Sequence, residues 1–212
     1  MSPKTEVDFS DVFYNYFPGQ MLEMDFLEYH GDDYLSIVDV LTGFITCFKT
    51  RNKSSQEAIR CVREWTARWG RPFSAKSDYG PGFRKTCKEG LRGLGIKLIH
   101  SSSYNPRSMG LAERSVRSIK NLLKKNTRLS QLELDELVFT INTNQQGANQ
   151  GCALERFLGR AINTSIPNSL AKNFGFEEAI QARAEIRMKR FLKPEKGTTR
   201  LGYFNVTIIG LS

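Results

Sequence analysis

The chain holds 212 residues, 40% of them apolar and 25% charged, with a net charge of +9. That suits one main domain with a real core plus appended helices. No run of 18 apolar residues exists, which excludes a membrane-spanning helix of ordinary length, and Met1-Ser2-Pro3-Lys4-Thr5-Glu6 lacks the apolar stretch of a signal peptide, so the chain is not expected to be secreted.

Charge is unevenly spread. Residues 1–48 hold one lysine against nine acids, residues 49–130 hold 20 Lys and Arg against five acids, and residues 131–212 hold ten against eight. A basic middle is the electrostatic footprint of a phosphate-backbone binder. The four cysteines, Cys47, Cys61, Cys87 and Cys152, are scattered, with only His30 and His100 to assist them. Reduced, buried thiols are expected, rather than a zinc site or a disulfide framework.

In chain order, residues 1–19 read as an irregular aromatic extension. Residues 20–29, 34–41 and 43–50 read as three strands rich in β-branched and aromatic side chains, turning at Gly31-Asp32-Asp33 and Thr42-Gly43. Asp32, Asp33 and Asp39 read as turn or edge residues. Ser54-Ser55-Gln56-Glu57 predicts a capping box, and the helix behind it stops at Gly70 and Pro72. A strand at 73–77, a short helix near 82–92 and a strand at 95–99 follow. A polar loop at 101–109 leads to helices at 110–128, 131–146 and 176–192. Arg187-Met188-Lys189-Arg190 reads as a basic surface stripe. The order is βββαβαβα.

Three acids stand out in this layout: Asp25 in a strand, Asp78 in the turn Asp78-Tyr79-Gly80-Pro81-Gly82-Phe83, and Glu113 near the start of a helix, 35 positions after Asp78. Carboxylates so placed can converge, and a cluster of acids repels itself unless a cation sits among them; a pair of magnesium-type ions about 3.5–4 Å apart is the usual guest. Gly80 and Gly82 allow tight backbone close to Asp78. On a helical wheel Arg117, Lys120 and Lys124 fall within roughly 40° of Glu113. Leu111, Val116, Ile119, Leu122 and Leu123 occupy another arc.

Met24-Asp25-Phe26, Ser77-Asp78-Tyr79-Gly80-Pro81-Gly82-Phe83 and Tyr104-Asn105-Pro106-Arg107-Ser108-Met109-Gly110-Leu111-Ala112-Glu113-Arg114 together resemble the integrases of retroviruses and gypsy-type LTR retrotransposons. Residues 34–44 resemble that family's second strand and hairpin, and Phe157-Leu158-Gly159-Arg160 a short motif after its core. The resemblance covers roughly residues 20 to 165. Two positions depart from it: the residue after the second aspartate is Tyr79 in place of Asn, and Met109 stands where Asn or Gln is frequent. The upstream His/Cys zinc module often seen in the family has no counterpart here.

The resemblance implies an α/β, RNase H-like fold, a mixed five-stranded sheet with helices on both faces and extra C-terminal helices. Residues 20–165 would form the core, 1–19 an extension, and 166–212 a helical segment with an apolar tail of no assigned role. It implies metal-dependent polynucleotidyl transfer on DNA, that is, 3′-end processing and strand transfer. Asp25, Asp78 and Glu113 would be catalytic and would hold two Mg2+ or Mn2+ ions. It further implies DNA contacts from Tyr104, Asn105, Arg107, Arg114, Arg117, Lys120 and Lys124, a homo-oligomer, and a nuclear, otherwise cytoplasmic, place of work. Two other readings stand beside it: a nuclease of the same fold that cuts without joining, and a catalytically silent DNA- or protein-binding relic.

Overall fold

A computed structural model describes residues 17–101, 110–124, 129–144 and 151–162. Strands β1 (Met21–Tyr29), β2 (Asp32–Asp39) and β3 (Ile45–Thr50) form an antiparallel meander. Helix α1 (Ser55–Trp69), strand β4 (Ser74–Ser77), a 3-10 turn (Pro81–Phe83), helix α2 (Lys85–Gly93) and strand β5 (Lys97–His100) follow. Helices α3 (Gly110–Leu123), α4 (Gln131–Thr143) and α5 (Ala153–Leu158) complete the described part. The sheet order is β3-β2-β1-β4-β5, with β4 parallel to both β1 and β5. This is the expected mixed five-stranded sheet. The helix expected at 176–192 with its Arg187–Arg190 cluster, the rest of the 166–212 extension and its apolar tail, residues 1–16 of the N-terminal extension and residues 102–109 of the polar loop lie outside the described residues.

Strand alternation splits the core in two. Leu22, Met24, Leu35, Ile37 and Phe48 face α1 and α2, where Trp65, Cys87 and Leu91 are fully buried. Leu27, Tyr34, Val38 and Cys47 face α3 and α4 and meet Ile119, Leu123, Leu134 and Val138. All four cysteines are free and buried. Burial pushes the thiol of Cys61 up to about 12 and that of Cys87 up to about 11, so neither is a ready thiolate near neutral pH. Among the described residues no helix is long and apolar enough to cross a membrane.

Local details differ from expectation in instructive ways. Tyr29 pairs with Asp32, so the first hairpin turns on His30 and Gly31, both at positive φ (51° and 81°). Two such residues match the right-handed twist of a tight hairpin. Asp32 and Asp33 therefore belong to β2 rather than to the turn, and they pair with Lys49 at 2.8 Å and Lys53 at 3.5 Å. Asp39 is the residue that organises a turn: it accepts from Thr42 N–H (2.8 Å), Thr42 Oγ1 (2.6 Å) and Gly19 N–H (2.9 Å). The capping box at Ser54 is half formed. Ser54 Oγ accepts from Glu57 N–H at 3.4 Å, but the Glu57 carboxylate accepts from Arg51 and Arg60 instead. Complete boxes occur at Ser130–Glu133 and Cys152–Glu155.

The outer edge of β3 is closed by side-chain amides of α4. Gln131 accepts from Lys49 N–H and donates to the Cys47 carbonyl, both at 2.8 Å. Buried Asn142 accepts from Ile45 N–H at 2.9 Å and donates to the Ile45 carbonyl at 2.7 Å. An open row of backbone groups is thereby matched without another strand. Helix α5 is fixed beside this edge. Arg156, 1% exposed, donates to the carbonyls of Thr42 and Gly151, and Phe157 stacks on Phe44 with ring centroids 4.3 Å apart. The Phe157-Leu158-Gly159-Arg160 motif thus ends an anchoring helix, with Gly159 as its left-handed cap.

Asn142→Ala leaves a buried N–H and a buried carbonyl of Ile45 without partners. It should cost about 2–4 kcal/mol in urea unfolding, against less than about 1 kcal/mol for Gln131→Ala at the half-buried end.

Candidate active site

The parallel register pairs Glu23 with Lys76. Carried two residues along both strands, it sets Asp25 beside Asp78, just past the end of β4. The next strand contributes His100, the register partner of Ser77. Asp25 alternates with Leu27 onto the face that α3 covers, and α3 brings Glu113 in its first turn. The middle of β1, the turn just past the end of β4 and the start of one helix thus supply the three acids.

Asp25 is half-buried, whereas Asp78 and Glu113 are exposed. Burial, then the charges of Asp78 and of Glu113, push the Asp25 carboxyl up to about 6, with Lys120 pulling in the opposite direction. The three acids therefore share one electrostatic field. Among the described residues no three His, Cys, Asp or Glu side chains close into a metal-holding group. A magnesium-type ion does not require one: it is commonly held by one or two carboxylates, with water and phosphate oxygens completing an octahedron. Hard carboxylate oxygens, a repelled and half-buried Asp25 and two exposed partners fit such ions held by pairs of acids.

The backbone around Asp78 is tightly determined. Its Oδ1 accepts from Gly80 N–H at 3.1 Å, and a Cβ on Gly80 would stand 2.9 Å from that oxygen. A Cβ on Gly82 would lie 2.5 Å from the Lys53 carbonyl. Close approach requires both glycines, but only Gly80 serves Asp78 as expected; Gly82 makes room for the Lys53 carbonyl and the Phe26 ring instead. The Asp78 carbonyl accepts from Ser77 Oγ at 2.9 Å and from His100 Nδ1–H at 3.1 Å.

Helix α3 presents the stripe expected from the wheel: Glu113, Arg117 and Lys124 are exposed and Lys120 is half-buried; Arg114, off that stripe, is exposed too. Arg114 Nε donates to the Gly110 carbonyl at 3.0 Å, which holds its stem along the helix. Its buried face is built differently from expectation. Ala112, Ser115, Ile119 and Leu123 are buried, while Leu111, Val116 and Leu122 are half-buried. Small residues let the helix sit close on the sheet. There Ser115 Oγ meets Ser36 Oγ at 2.8 Å, and Ser36 is the cross-strand partner of Asp25. Tyr104, Asn105 and Arg107 lie outside the described residues.

Sequence reasoning missed Glu23. This residue is 6% exposed, and its Oε2 accepts from the N–H groups of Leu111 at 3.2 Å and Ala112 at 3.0 Å. These are unpaired donors at the helix start, and the carboxylate also meets the positive end of the helix dipole. Glu23 thereby fixes the turn that carries Glu113. The only signal in the sequence is a glutamate two residues before Asp25, on the same strand face.

The sheet order, its parallel and antiparallel pairs and the helices on both faces define an RNase H-like fold of the integrase catalytic-core type. Two solved structures share it. One is the simian T-cell lymphotropic virus intasome in complex with PP2A regulatory subunit B56 gamma: TM-score 0.59, 24% identity, 66% of this chain and 54% of that one. The other is the catalytic core domain of BIV integrase: TM-score 0.58, 20% identity, 66% and 95%. In sequence the chain is similar to stretches of retroviral polyproteins. It is 38% identical over 117 residues to the Gag-Pol polyprotein of baboon endogenous virus (strain M7) and 37% identical over 117 residues to the Pol polyprotein of feline endogenous virus ECE1. Each match takes in 52% of this chain but only 7% and 11% of those proteins, so the chain spans a small part of the relatives it matches. No family model matches it.

Two outcomes follow from the site's geometry. Because the folded state raises the Asp25 carboxyl above its ordinary value, the protonated form favours folding below about 4, and that contribution is lost as pH rises through about 6. Asp25→Asn should therefore stabilise the metal-free protein at pH 7.5 by about 1–2 kcal/mol, discounted for partial exposure. Thermal melts should show the gap narrowing towards pH 4. Glu23→Ala should cost about 2–4 kcal/mol, with one buried and one half-buried donor orphaned, and Glu23→Gln clearly less; urea melts distinguish them.

Proposed function

We propose that this domain performs divalent-metal-dependent polynucleotidyl transfer on DNA, trimming a 3′ end and joining it to a second strand. The observation that carries the reading is the shared field of Asp25, Asp78 and Glu113 on three elements of an integrase-type fold. Asp25 and Asp78 would hold one magnesium or manganese ion, and Glu113 with one of the two aspartates the other. When bound, such ions stabilise charge on the attacking and leaving oxygens of a phosphodiester.

The chain's own contribution is placement. Asp25 projects from the middle of a strand paired on both sides. Asp78 is oriented by the Gly80 N–H, and Glu113 is delivered by a helix fixed to the sheet through Glu23 and the Ser36–Ser115 contact. Pre-set positions spare reorganisation at the moment of reaction. Arg117, Lys120 and Lys124 run down the same helix from Glu113, where they would take successive phosphates. Tyr104, Asn105, Arg107 and Arg114 would add contacts near the DNA end. The working form would be a homo-oligomer acting in the nucleus, in keeping with the integrase resemblance.

Wild-type protein with Mn2+ should nick an oligonucleotide duplex and yield strand-transfer products. Saturating metal, at about 100 times its Kd, should stabilise the fold by about 2.7 kcal/mol. The near-isosteric Asp78→Asn should lose the products and most of the metal shift while remaining folded. The triple change of Arg117, Lys120 and Lys124 to Ala should weaken DNA binding and lower its log–log salt slope by roughly 2–3. A wild-type protein with neither metal shift nor cleavage would overturn the reading in favour of a silent relic. Cutting without joining would favour the nuclease.

A further inference from the structure

We propose that Tyr79 is a stacking ledge for one unpaired DNA base beside the phosphodiester under attack. This inference rests on the DNA reading above and adds to it a subsite for the base. Tyr79 follows Asp78 directly and is 65% exposed. Singly exposed aromatics are ordinary; this one is held. Its ring meets His100 edge to face, with centroids 4.9 Å apart and planes at 78°. His100 is in turn fixed by its Nδ1–H on the Asp78 carbonyl and by the pairing of β5 with β4. The Asp78 side chain closes back on Gly80 N–H, so residue 79 is the middle of a small hydrogen-bonded turn. Carboxylate and ring are therefore parts of one rigid unit, with consecutive Cα atoms about 3.8 Å apart.

The chemistry of the residue selects its ligand. Tyrosine offers a flat apolar face at low conformational cost, and every base has a π-face to lay on it. Where the resemblance has Asn, this chain places a ring, exchanging an amide's hydrogen bonds for a stacking surface. A base resting there puts its own phosphate next to Asp78. Bases at a frayed or processed DNA end leave the stack at less cost than paired bases inside a duplex. The ledge thus favours an end over an internal site.

The test uses duplexes carrying 2-aminopurine, or an abasic position, at the nucleotide next to the scissile phosphate. Wild-type protein should quench the 2-aminopurine fluorescence on binding and should bind the abasic duplex about 5- to 100-fold more weakly. Tyr79→Ala should bind both duplexes alike and quench neither, with an unchanged melting temperature because the side chain is exposed. Tyr79→Phe and Tyr79→Trp should keep the discrimination, and Tyr79→Asn should behave as Ala. A Tyr79→Ala protein that still discriminates and quenches as wild type, while wild type binds and cuts DNA, would overturn the ledge alone. Wild-type protein that binds no DNA would overturn the ledge together with the function it rests on.

Discussion

Inside the domain, the carboxylate of Glu23 faces the first N–H groups of α3, and most of the candidate site depends on that contact. A glutamate this deeply buried is unfavourable unless its oxygens are matched. The helix is equally incomplete at that end, because its first donors have no partners within it. Each therefore satisfies the other, and the match fixes both the height and the rotation of α3 on the sheet. Glu113 lies one turn in, so its carboxylate inherits that placement. Ser115, two residues further on, meets Ser36 beside Asp25 and sets the spacing between helix and strand.

The two faces of the sheet divide the work. On one side α1 and α2 bury Trp65, Leu91 and the neighbouring strand residues in an apolar layer. On the other side α3 covers β1 and β2 with small residues near its start and larger ones further along. The tight end is where charge collects, and the wide end is where Ile119 and Leu123 provide apolar burial. The raised Asp25 carboxyl is the electrostatic expression of that arrangement: half out of water, with two acids and one lysine as its nearest charged company.

Much of this is legible along the chain. The order of strands and helices is written in β-branched runs, glycine turns and caps, and the acids sit on elements whose order brings them to one end of the sheet. What is not legible shares one physical trait. Glu23, Ser36, Ser115, Gln131, Asn142 and Arg156 act through one to three hydrogen bonds each, chiefly to partners distant in sequence, and such bonds leave no periodicity to read. The wheel of α3 sorted residues by hydropathy, whereas close approach to a sheet selects by size, which is why Ala112 and Ser115 displaced Leu111 and Val116 from the most buried positions. The first hairpin shows the same limit on a smaller scale: Gly31-Asp32-Asp33 has turn composition, but the strand register sets the turn at His30 and Gly31.

The length of chain between these partners has a consequence for how the domain comes into being. The meander β1–β2–β3 pairs neighbours in sequence, so it closes cheaply. The contacts that dock the late helices span 89 residues from Glu23 to Ala112, 97 from Ile45 to Asn142 and 114 from Thr42 to Arg156. In a chain made from its amino end, the strands are ready well before those helices emerge. Asp25 and Asp78 then stand together without Glu113, and the edge of β3 stays open until α4 arrives. A ribosome-bound or prematurely ended chain would thus carry two of the three acids and an unguarded strand, and only docking of the late helices arms the site and closes the sheet.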